Sequence, residues 1–154
     1  MLRRLILFCA VIAAASLSHP PPALSDGDES AAAPRIEVFK TPTCGCCTKW
    51  AEHLEANGFR VELTDMKDLT RLKRRKGVPY DSQACHTGVV DGYVIEGHVP
   101  AADIKRLLAE RPEVTGLVVP GMPLGSPGME HPDPQPYSVF TFDASGRKAI
   151  YSRH

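Results

Sequence analysis

The sequence predicts an α/β domain in which a central mixed β-sheet is flanked by helices. Short segments with alternating apolar and polar residues, typical of strands, are interleaved with segments that repeat apolar residues every three or four positions, typical of helices. These segments are separated by residues that favour turns, namely Gly, Pro and the pair Asn-Gly. A chain of 154 residues that is 43% hydrophobic can bury one core of ordinary size, so we expect one folded domain.

The first predicted strand and helix meet at a cluster of cysteines. Residues 36–40 alternate as a strand, and a short turn then leads into the motif Cys44-Gly45-Cys46-Cys47. The helix that follows has an apolar face formed by Trp50, Ala51 and Leu54. It ends at Asn57-Gly58, which is typical of a C-cap.

The remaining elements follow in the order strand, helix, hairpin, helix, hairpin. The predicted boundaries are 59–64 for the second strand, 68–76 for a basic helix, 87–90 and 93–96 for the first hairpin, Pro100 to Arg111 for the third helix, and 137–142 and 148–151 for the C-terminal hairpin. We expect the five Lys and Arg residues of the basic helix to face solvent.

This order is that of the thioredoxin-like fold, in which a mixed sheet carries helices on both faces. The reactive site of that fold lies where the first strand meets the first helix, and the cysteine motif occupies this junction. We therefore expect residues 35–154 to form a thioredoxin-like metal-binding domain with an added C-terminal hairpin.

The N-terminal residues predict export. Arg3-Arg4 precedes the apolar run 5–17, which has the length of a signal-peptide core and is too short for an ordinary membrane span. We expect residues 1–25 to be a signal peptide, removed together with Cys9, and 26–34 to be a flexible linker; an uncleaved anchor is the alternative. The predicted location is the periplasm, without membrane attachment after cleavage.

The charge balance argues against nucleic acid as a partner. The chain has 18 Lys and Arg against 18 Asp and Glu, and loss of the leader would leave it slightly acidic.

The mature chain would retain four cysteines: Cys44, Cys46, Cys47 and Cys85. An even number in an exported domain usually indicates structural disulfides. Three of the four lie within four residues here, and a bridge between the neighbours Cys46 and Cys47 would close a strained eight-membered ring. A structural domain with two ordinary disulfides is therefore disfavoured, and the clustering favours thiol chemistry.

The position of the motif predicts reactive, converging sulfur atoms. Unpaired N–H groups at a helix N-terminus stabilise thiolates, so we expect the pKa values of Cys44 and Cys46 to fall below the free value of about 8.5. Cys85 directly precedes the third predicted strand and should lie at the same end of the sheet. The four sulfurs are then expected to meet.

Thiolates favour copper(I), zinc and iron–sulfur clusters. The adjacent residues Cys46 and Cys47 are awkward ligands for one tetrahedral zinc ion, whereas adjacent thiolates can bridge several copper(I) ions. The predicted cofactor is copper(I), bound by Cys44, Cys46, Cys47 and Cys85, with zinc as the less favoured alternative.

Four other side chains are candidate auxiliary ligands: His86, His98, Met122 and Met129. An imidazole at His86 or His98 could instead serve only as a structural hydrogen-bonding group. The methionines lie in a loop rich in Gly and Pro, which either covers the site or recognises a partner. We expect this loop to fold over the cysteines and bring one thioether toward the metal.

Two functions remain open at this point. A copper-binding protein would sequester copper(I) or pass it to a protein partner such as a copper exporter or copper chaperone. A thiol–disulfide oxidoreductase would use Cys44 and Cys47 as its catalytic C-x-x-C pair, with Cys46 or Cys85 as a resolving or tuning thiol. The surplus of thiols beyond one redox pair favours metal binding over enzymatic activity, and one protein could do both.

Four segments resemble the CopG-type periplasmic copper-resistance proteins, a family long described only as a domain of unknown function. The segments are TCGCC at 43–47, SQACHT at 82–87, EGHVP at 96–100 and GLVVPGMPLGSPGME at 116–130. The resemblance implies a thioredoxin-like fold, a periplasmic location and copper held by thiolates at the four cysteine positions. Ala84 and Gly88 depart from the expected serine and alanine, and neither is a proposed ligand.

Overall fold

The computed structural model describes residues 33–154. Its elements are β1 (Arg35–Lys40), α1 (Gly45–Ala56), β2 (Arg60–Asp65), α2 (Thr70–Arg75), β3 (His86–Val90), β4 (Tyr93–Glu96), α3 (Ala101–Glu110), β5 (Gly116–Val118), β6 (Ser138–Phe142) and β7 (Lys148–Arg153). The predicted signal peptide 1–25 and nearly all of the predicted linker 26–34 lie outside the described residues, so both stay predictions. Within the described range, no helix has the length and hydropathy needed to cross a membrane.

The seven strands form one mixed sheet in the order β2-β1-β3-β4-β5-β6-β7. The pairs β1/β2 and β4/β5 are parallel, and the other neighbouring strands are antiparallel. Each parallel pair is connected by a helix, as a parallel crossover requires. The predicted α/β class with a central mixed sheet and a C-terminal hairpin is confirmed, while the finer thioredoxin-like assignment stays a prediction.

The core lies on both faces of the sheet. The larger cluster joins α1 and α3 to the sheet through fully buried residues: Ile36, Val38, Trp50, Leu54, Ile95, Ile104, Leu107 and Leu117. Successive strand residues point to opposite faces, so their neighbours Val94 and Val118 belong to a second cluster with Val78 and Phe142. The α2 helix packs on this second face, because Lys73 reaches Thr87 and Glu96 there.

Two sequence expectations differ from the structure. Strand β5 was not predicted, because all three of its residues are buried in the middle of the sheet and show no alternation with polar residues. The expectation that all five basic residues of the second helix face solvent is wrong for Lys73, which is only 5% exposed. A buried carboxylate on the neighbouring strand, described below, accounts for this burial.

Candidate metal centre

The cysteine motif lies where β1 feeds α1, as the sequence predicts. Cys44 has an extended backbone conformation and is the residue immediately before the helix, and its amide donates a hydrogen bond to the carbonyl of Thr41. Cys46 and Cys47 belong to the first helical turn. Cys47 is fully buried against the core, whereas Cys44 and Cys46 are half-buried, so the motif spans from the interior to the surface.

The pairing of β1 with β3 places Cys85, which follows Cys47 by 38 residues, at this junction. The last residue of β1, Lys40, pairs with the first residue of β3, His86. Cys85 therefore comes directly before β3 at the same end of the sheet. Its Sγ lies 3.2 Å from the Sγ of Cys44 and 3.2 Å from the Sγ of Cys47. The fourth sulfur, of Cys46, lies 3.5 Å from that of Cys44, and all four lie within 4.8 Å of one another.

The four cysteines are not chemically equivalent. Cys44 and Cys47 are joined by a disulfide, and Cys46 and Cys85 are free. Burial raises the pKa of the Cys85 thiol to about 11, and the nearby Cys46 adds to the rise. A cation that binds Cys85 must therefore displace a proton, and four thiolates become available only after the disulfide is reduced.

A buried ion pair holds the Cys85 segment in place. Lys73 Nζ donates to the Glu96 carboxylate, to Thr87 Oγ1 and to the carbonyl of His86. Glu96 also accepts hydrogen bonds from Thr87 Oγ1 and from the amide of Ala84, which directly precedes Cys85. Burial raises the pKa of Glu96, and Lys73 and the other donors oppose that rise.

Sequence analysis missed this pair. Glu96 occupies the same sheet face as the buried Val94. A charged residue at an expected buried position of a strand was therefore the signal that could have indicated a buried partner.

The loop between β5 and β6 covers the cluster. Gly128 packs against the first turn of α1, where a Cβ would lie 2.7 Å from the carbonyl oxygen of Cys46. The thioether sulfur of Met122 lies 4.0 Å from the Sγ of Cys85. Met129 contributes with Cys46, Lys49 and neighbouring residues to an open cleft of about 360 Å³. The expected fold of this loop over the cysteines is therefore observed, with Met122 as the methionine that approaches a sulfur.

Both candidate histidines lie deep beside Cys85. His86 and His98 are fully buried, and one ligand atom of each lies within 4.8 Å of the other and of the Cys85 sulfur. The His86 ring packs against Trp50, with 4.4 Å between ring centroids. Burial is the main cause that lowers the pKa of both imidazoles, that of His86 to about 3. Both rings are therefore neutral at physiological pH.

Each imidazole has one nitrogen bound to a backbone carbonyl. His86 Nε2 lies 2.9 Å from the carbonyl oxygen of Gly97, and His98 Nδ1 lies 2.7 Å from that of Pro127. The second bond ties His98 to the covering loop. The auxiliary candidates His86, His98 and Met122 thus all lie beside Cys85, whereas Met129 lies on the side of Cys46.

Comparison with known proteins identifies relatives along most of the chain. The family model described as "Protein of unknown function, DUF411" matches residues 82–129. No curated protein sequence matches the chain. Two solved structures, "Copper resistance protein copG" forms 2 and 1, are similar at 48% identity with TM-scores of 0.75 and 0.74. The form 2 match covers 79% of this chain and 98% of that structure, and the form 1 match covers 78% and 96%. With this identity and coverage, the chain belongs to the CopG family.

Proposed function

We propose that this protein handles copper in the periplasm by holding copper(I) through the thiolates of Cys44, Cys46, Cys47 and Cys85. The observation that carries the proposal is the convergence of four sulfurs from two distant segments to within 4.8 Å. The name of the CopG relatives, copper resistance protein, favours copper over other soft metals. Sequestration, or transfer to a copper exporter or chaperone, would then contribute to copper resistance.

Thiolate chemistry supports copper(I) over zinc. Copper(I) is a soft ion that is satisfied by two or three sulfurs, so several ions can share bridging thiolates. A structural zinc site needs four ligands arranged tetrahedrally around one ion. Cys46 and Cys47 are neighbours on one helix and are awkward ligands for a single tetrahedral ion. They are better suited to a site in which several ions share thiolates.

Copper binding in this scheme requires a reduced site. A dithiol reductant that opens the Cys44–Cys47 disulfide supplies the two electrons and two protons that yield two thiols, and is itself oxidised to a disulfide. Each copper(I) ion that binds then displaces protons from the thiols, because thiolates are the ligands. The oxidised form described here therefore represents the state before reduction and metal loading.

The disulfide also favours a second candidate function, thiol–disulfide exchange. In that scheme Cys44 and Cys47 are the catalytic pair, and Cys85, whose sulfur lies 3.2 Å from each of theirs, is the resolving thiol. Attack requires a thiolate, however, and the raised pKa of Cys85 keeps this group protonated near neutral pH. The raised pKa opposes metal binding at Cys85 as well, so it is the surplus of thiols beyond one redox pair that ranks exchange below copper binding.

The test is an anaerobic titration of the reduced domain with copper(I) in competition with a chromophoric chelator. We expect more than one tightly bound ion per chain, and a lower count in Cys46→Ser. The matched control is the same wild-type protein with its Cys44–Cys47 disulfide intact, which should bind less copper.

Two results would overturn the copper proposal. One zinc ion per chain, with copper bound only weakly, would identify a tetrahedral zinc site. A disulfide that turns over with a dithiol reductant, without tight copper binding, would identify an oxidoreductase.

The periplasmic location has a separate test. Expression of the full chain in a Gram-negative host, followed by mass spectrometry of the periplasmic fraction, should yield a mature protein that begins near residue 26. A full-length chain found only in the membrane fraction would instead support the uncleaved anchor.

A further inference from the structure

The exposed side of helix α2 is positively charged. Arg71, Arg74 and Arg75 are exposed, and their i, i+3, i+4 spacing places them on one face of the helix, opposite the buried Leu72 and Lys73. We call these three arginines the basic face. Within the described part of the chain, none of the three guanidinium groups forms a salt bridge. Like charges at this spacing destabilise a helix, so folding does not account for the arrangement.

The positive charge of the domain is concentrated at α2. Residues 67–76 contain six Lys and Arg and one Asp, whereas the other residues of 33–154 contain ten Lys and Arg and fourteen Asp and Glu. The charge of the domain is therefore polarised, with its positive end at α2. A surface of this kind attracts a partner with an acidic face and raises the rate at which the two meet.

The basic face belongs to a helix that is anchored beside Cys85. Lys73, on the inner side of α2, donates a hydrogen bond to the carbonyl of His86, the residue that follows Cys85. Cys85 is only partly buried, and it lines a cleft of about 160 Å³ together with the exposed Met122. A protein docked against α2 would therefore lie beside an accessible sulfur of the cysteine cluster.

An exposed aromatic side chain lies between the basic face and Cys85 along the chain. Tyr80 is 92% exposed, although its backbone belongs to a short 3-10 turn that is held in place. The carboxylate of Asp81 and the buried hydroxyl of Ser82 both accept hydrogen bonds from Lys148 Nζ, at 2.8 Å each. Tyrosine is enriched where proteins contact one another, and an aromatic ring on a fixed backbone loses little entropy on binding.

The apolar residues of this segment favour a protein partner over a lipid surface. A helix that lies in a membrane interface needs an apolar face that enters the lipid. Leu69 and Leu72, the apolar residues of 67–76, are instead only 5% and 6% exposed. The exposed side of α2 is therefore suited to the carboxylates of another protein.

We propose that the basic face and Tyr80 form the docking surface for an acidic face of the protein that exchanges copper(I) with the cysteine cluster. The exchange rests on the proposed function, whereas the docking surface does not. Copper(I) keeps its oxidation state in the exchange. It leaves the thiolates of one protein for those of the other, and the protons released by the receiving thiols are taken up by the thiolates that it left.

The first test needs neither metal nor variant. The metal-free wild-type protein, labelled with nitrogen-15 and with its disulfide intact, is mixed with a hexaglutamate peptide that carries an amide-linked nitroxide. We expect the nitroxide to broaden the backbone amide signals of residues 70–76 and of Tyr80 and Cys85. A hexaserine peptide with the same label is the control. Equal broadening by the two peptides, or broadening centred elsewhere in the domain, would overturn the docking surface.

The second test uses two variants that each remove three exposed cations. The basic-face variant is Arg71→Gln/Arg74→Gln/Arg75→Gln. The control variant removes the same charge from three other elements, at exposed residues that also form no salt bridge among the described residues: Arg60→Gln/Lys105→Gln/Arg153→Gln. Neither variant changes a proposed copper ligand.

Copper(I) is then presented to the reduced proteins by synthetic Cys-Gly-Gly-Cys peptides that end in six glutamates or in six serines. At low salt, we expect the acidic donor to transfer copper(I) to wild type and to the control variant about tenfold faster than the serine donor does. The basic-face variant should lose most of this advantage, and high salt should remove it from all three proteins. An equal loss in both variants would show that net charge, and not the basic face, sets the rate, and would overturn the proposal.

A lipid partner would give another pattern. If wild type sediments with vesicles of phosphatidylglycerol, the basic-face variant does not, and the acidic donor has no advantage, then α2 binds membranes and the acidic-protein proposal is overturned.

Failure of the docking surface and failure of the proposed function give different results. If the reduced wild-type protein takes up copper(I) from neither donor nor from a chelator, the proposed function fails, and the metal-free peptide experiment still decides the docking surface. If copper(I) is taken up at equal rates from both donors, only the docking surface fails.

Discussion

A matched pair of glycine substitutions can measure how much the contact between α1 and the loop that joins β5 to β6 contributes to stability. Gly121 and Gly128 lie in the same loop, and both have a φ of +83°. A Cβ at Gly128 would lie 2.7 Å from the carbonyl oxygen of Cys46 and 2.8 Å from the amide nitrogen of Trp50. A Cβ at Gly121 would meet nothing within 4 Å. Alanine at the two positions therefore imposes the same backbone strain and differs only in the steric contact.

The structure sets the size of the two effects. An L-residue in the left-handed region costs about 1 to 2 kcal/mol, and both variants incur this cost. Gly128→Ala must in addition move the loop away from α1, since 2.7 Å is well inside the 3.4 Å at which contacts become ordinary. Overpacking of this kind typically costs about 1 to 3 kcal/mol. We therefore expect the free energy of unfolding to fall by about 1 to 2 kcal/mol in Gly121→Ala and by about 2 to 5 kcal/mol in Gly128→Ala.

Urea denaturation of the reduced, metal-free proteins measures this difference, and release of copper(I) to a competing chelator measures its consequence for the site. Copper should leave Gly128→Ala faster than Gly121→Ala, because the displaced loop no longer closes over Cys46. Equal stability and equal release rates in the two variants would refute the argument that the loop is seated by this contact.

Three other perturbations address the support of the site, its thioether and the C-terminal hairpin. Lys73→Met leaves the Glu96 carboxylate buried without its cation and should lower the free energy of unfolding by about 3 to 5 kcal/mol. The double variant Lys73→Met/Glu96→Gln should cost less than the two single changes added together, and strict additivity in urea denaturation would contradict the pairing. Met122→Leu keeps the side-chain volume but removes a thioether sulfur that lies 4.0 Å from the Sγ of Cys85. The affinity for copper(I) in the competition titration should fall about tenfold, and an unchanged affinity would exclude the thioether as a ligand. A hydrogen bond from Ser145 is the main cause that lowers the pKa of Asp143 from 3.8 to about 2, so the folded state favours the carboxylate. The contribution of the Asp143 carboxylate to hairpin stability is therefore fully present above pH 3.8 and is lost as the pH falls toward 2. An NMR titration midpoint of Asp143 near pH 4 would contradict this prediction.

The sequence predicted the elements whose pattern is local. Strands β1 and β2 and helix α1 show their periodicity within a few residues, and their predicted boundaries agree with the structure to within about two residues. β5 and the burial of Lys73 depend on distant residues instead. Lys73 is buried because Glu96, 23 residues later, lies on the sheet face against which α2 packs and accepts its hydrogen bond. A pattern of charges within α2 alone contains no information about that partner.

The same distinction applies to the site. Convergence of the cysteines followed from topology, because a residue that directly precedes β3 must lie at one end of the sheet, and the pairing of Lys40 with His86 selects the end that bears the motif. The chemical state of the histidines could not be predicted in this way. Their tautomers are set by the carbonyls of Gly97 and Pro127, and only the folded loop brings Pro127 to His98.

Helix geometry explains how adjacent cysteines can serve one site. Successive residues on an α-helix point about 100° apart, since 3.6 residues complete a turn. Cys47 consequently points into the core toward Cys85, while Cys46 stays half-exposed beside the cleft that contains Met129. The sulfur of Cys47 therefore lies 3.2 Å from that of Cys85, whereas the sulfur of Cys46 lies 3.5 Å from that of Cys44, so the two adjacent cysteines contact different sulfurs of the cluster. An arrangement that is poor for one tetrahedral centre therefore supports the proposal that several copper(I) ions share these thiolates.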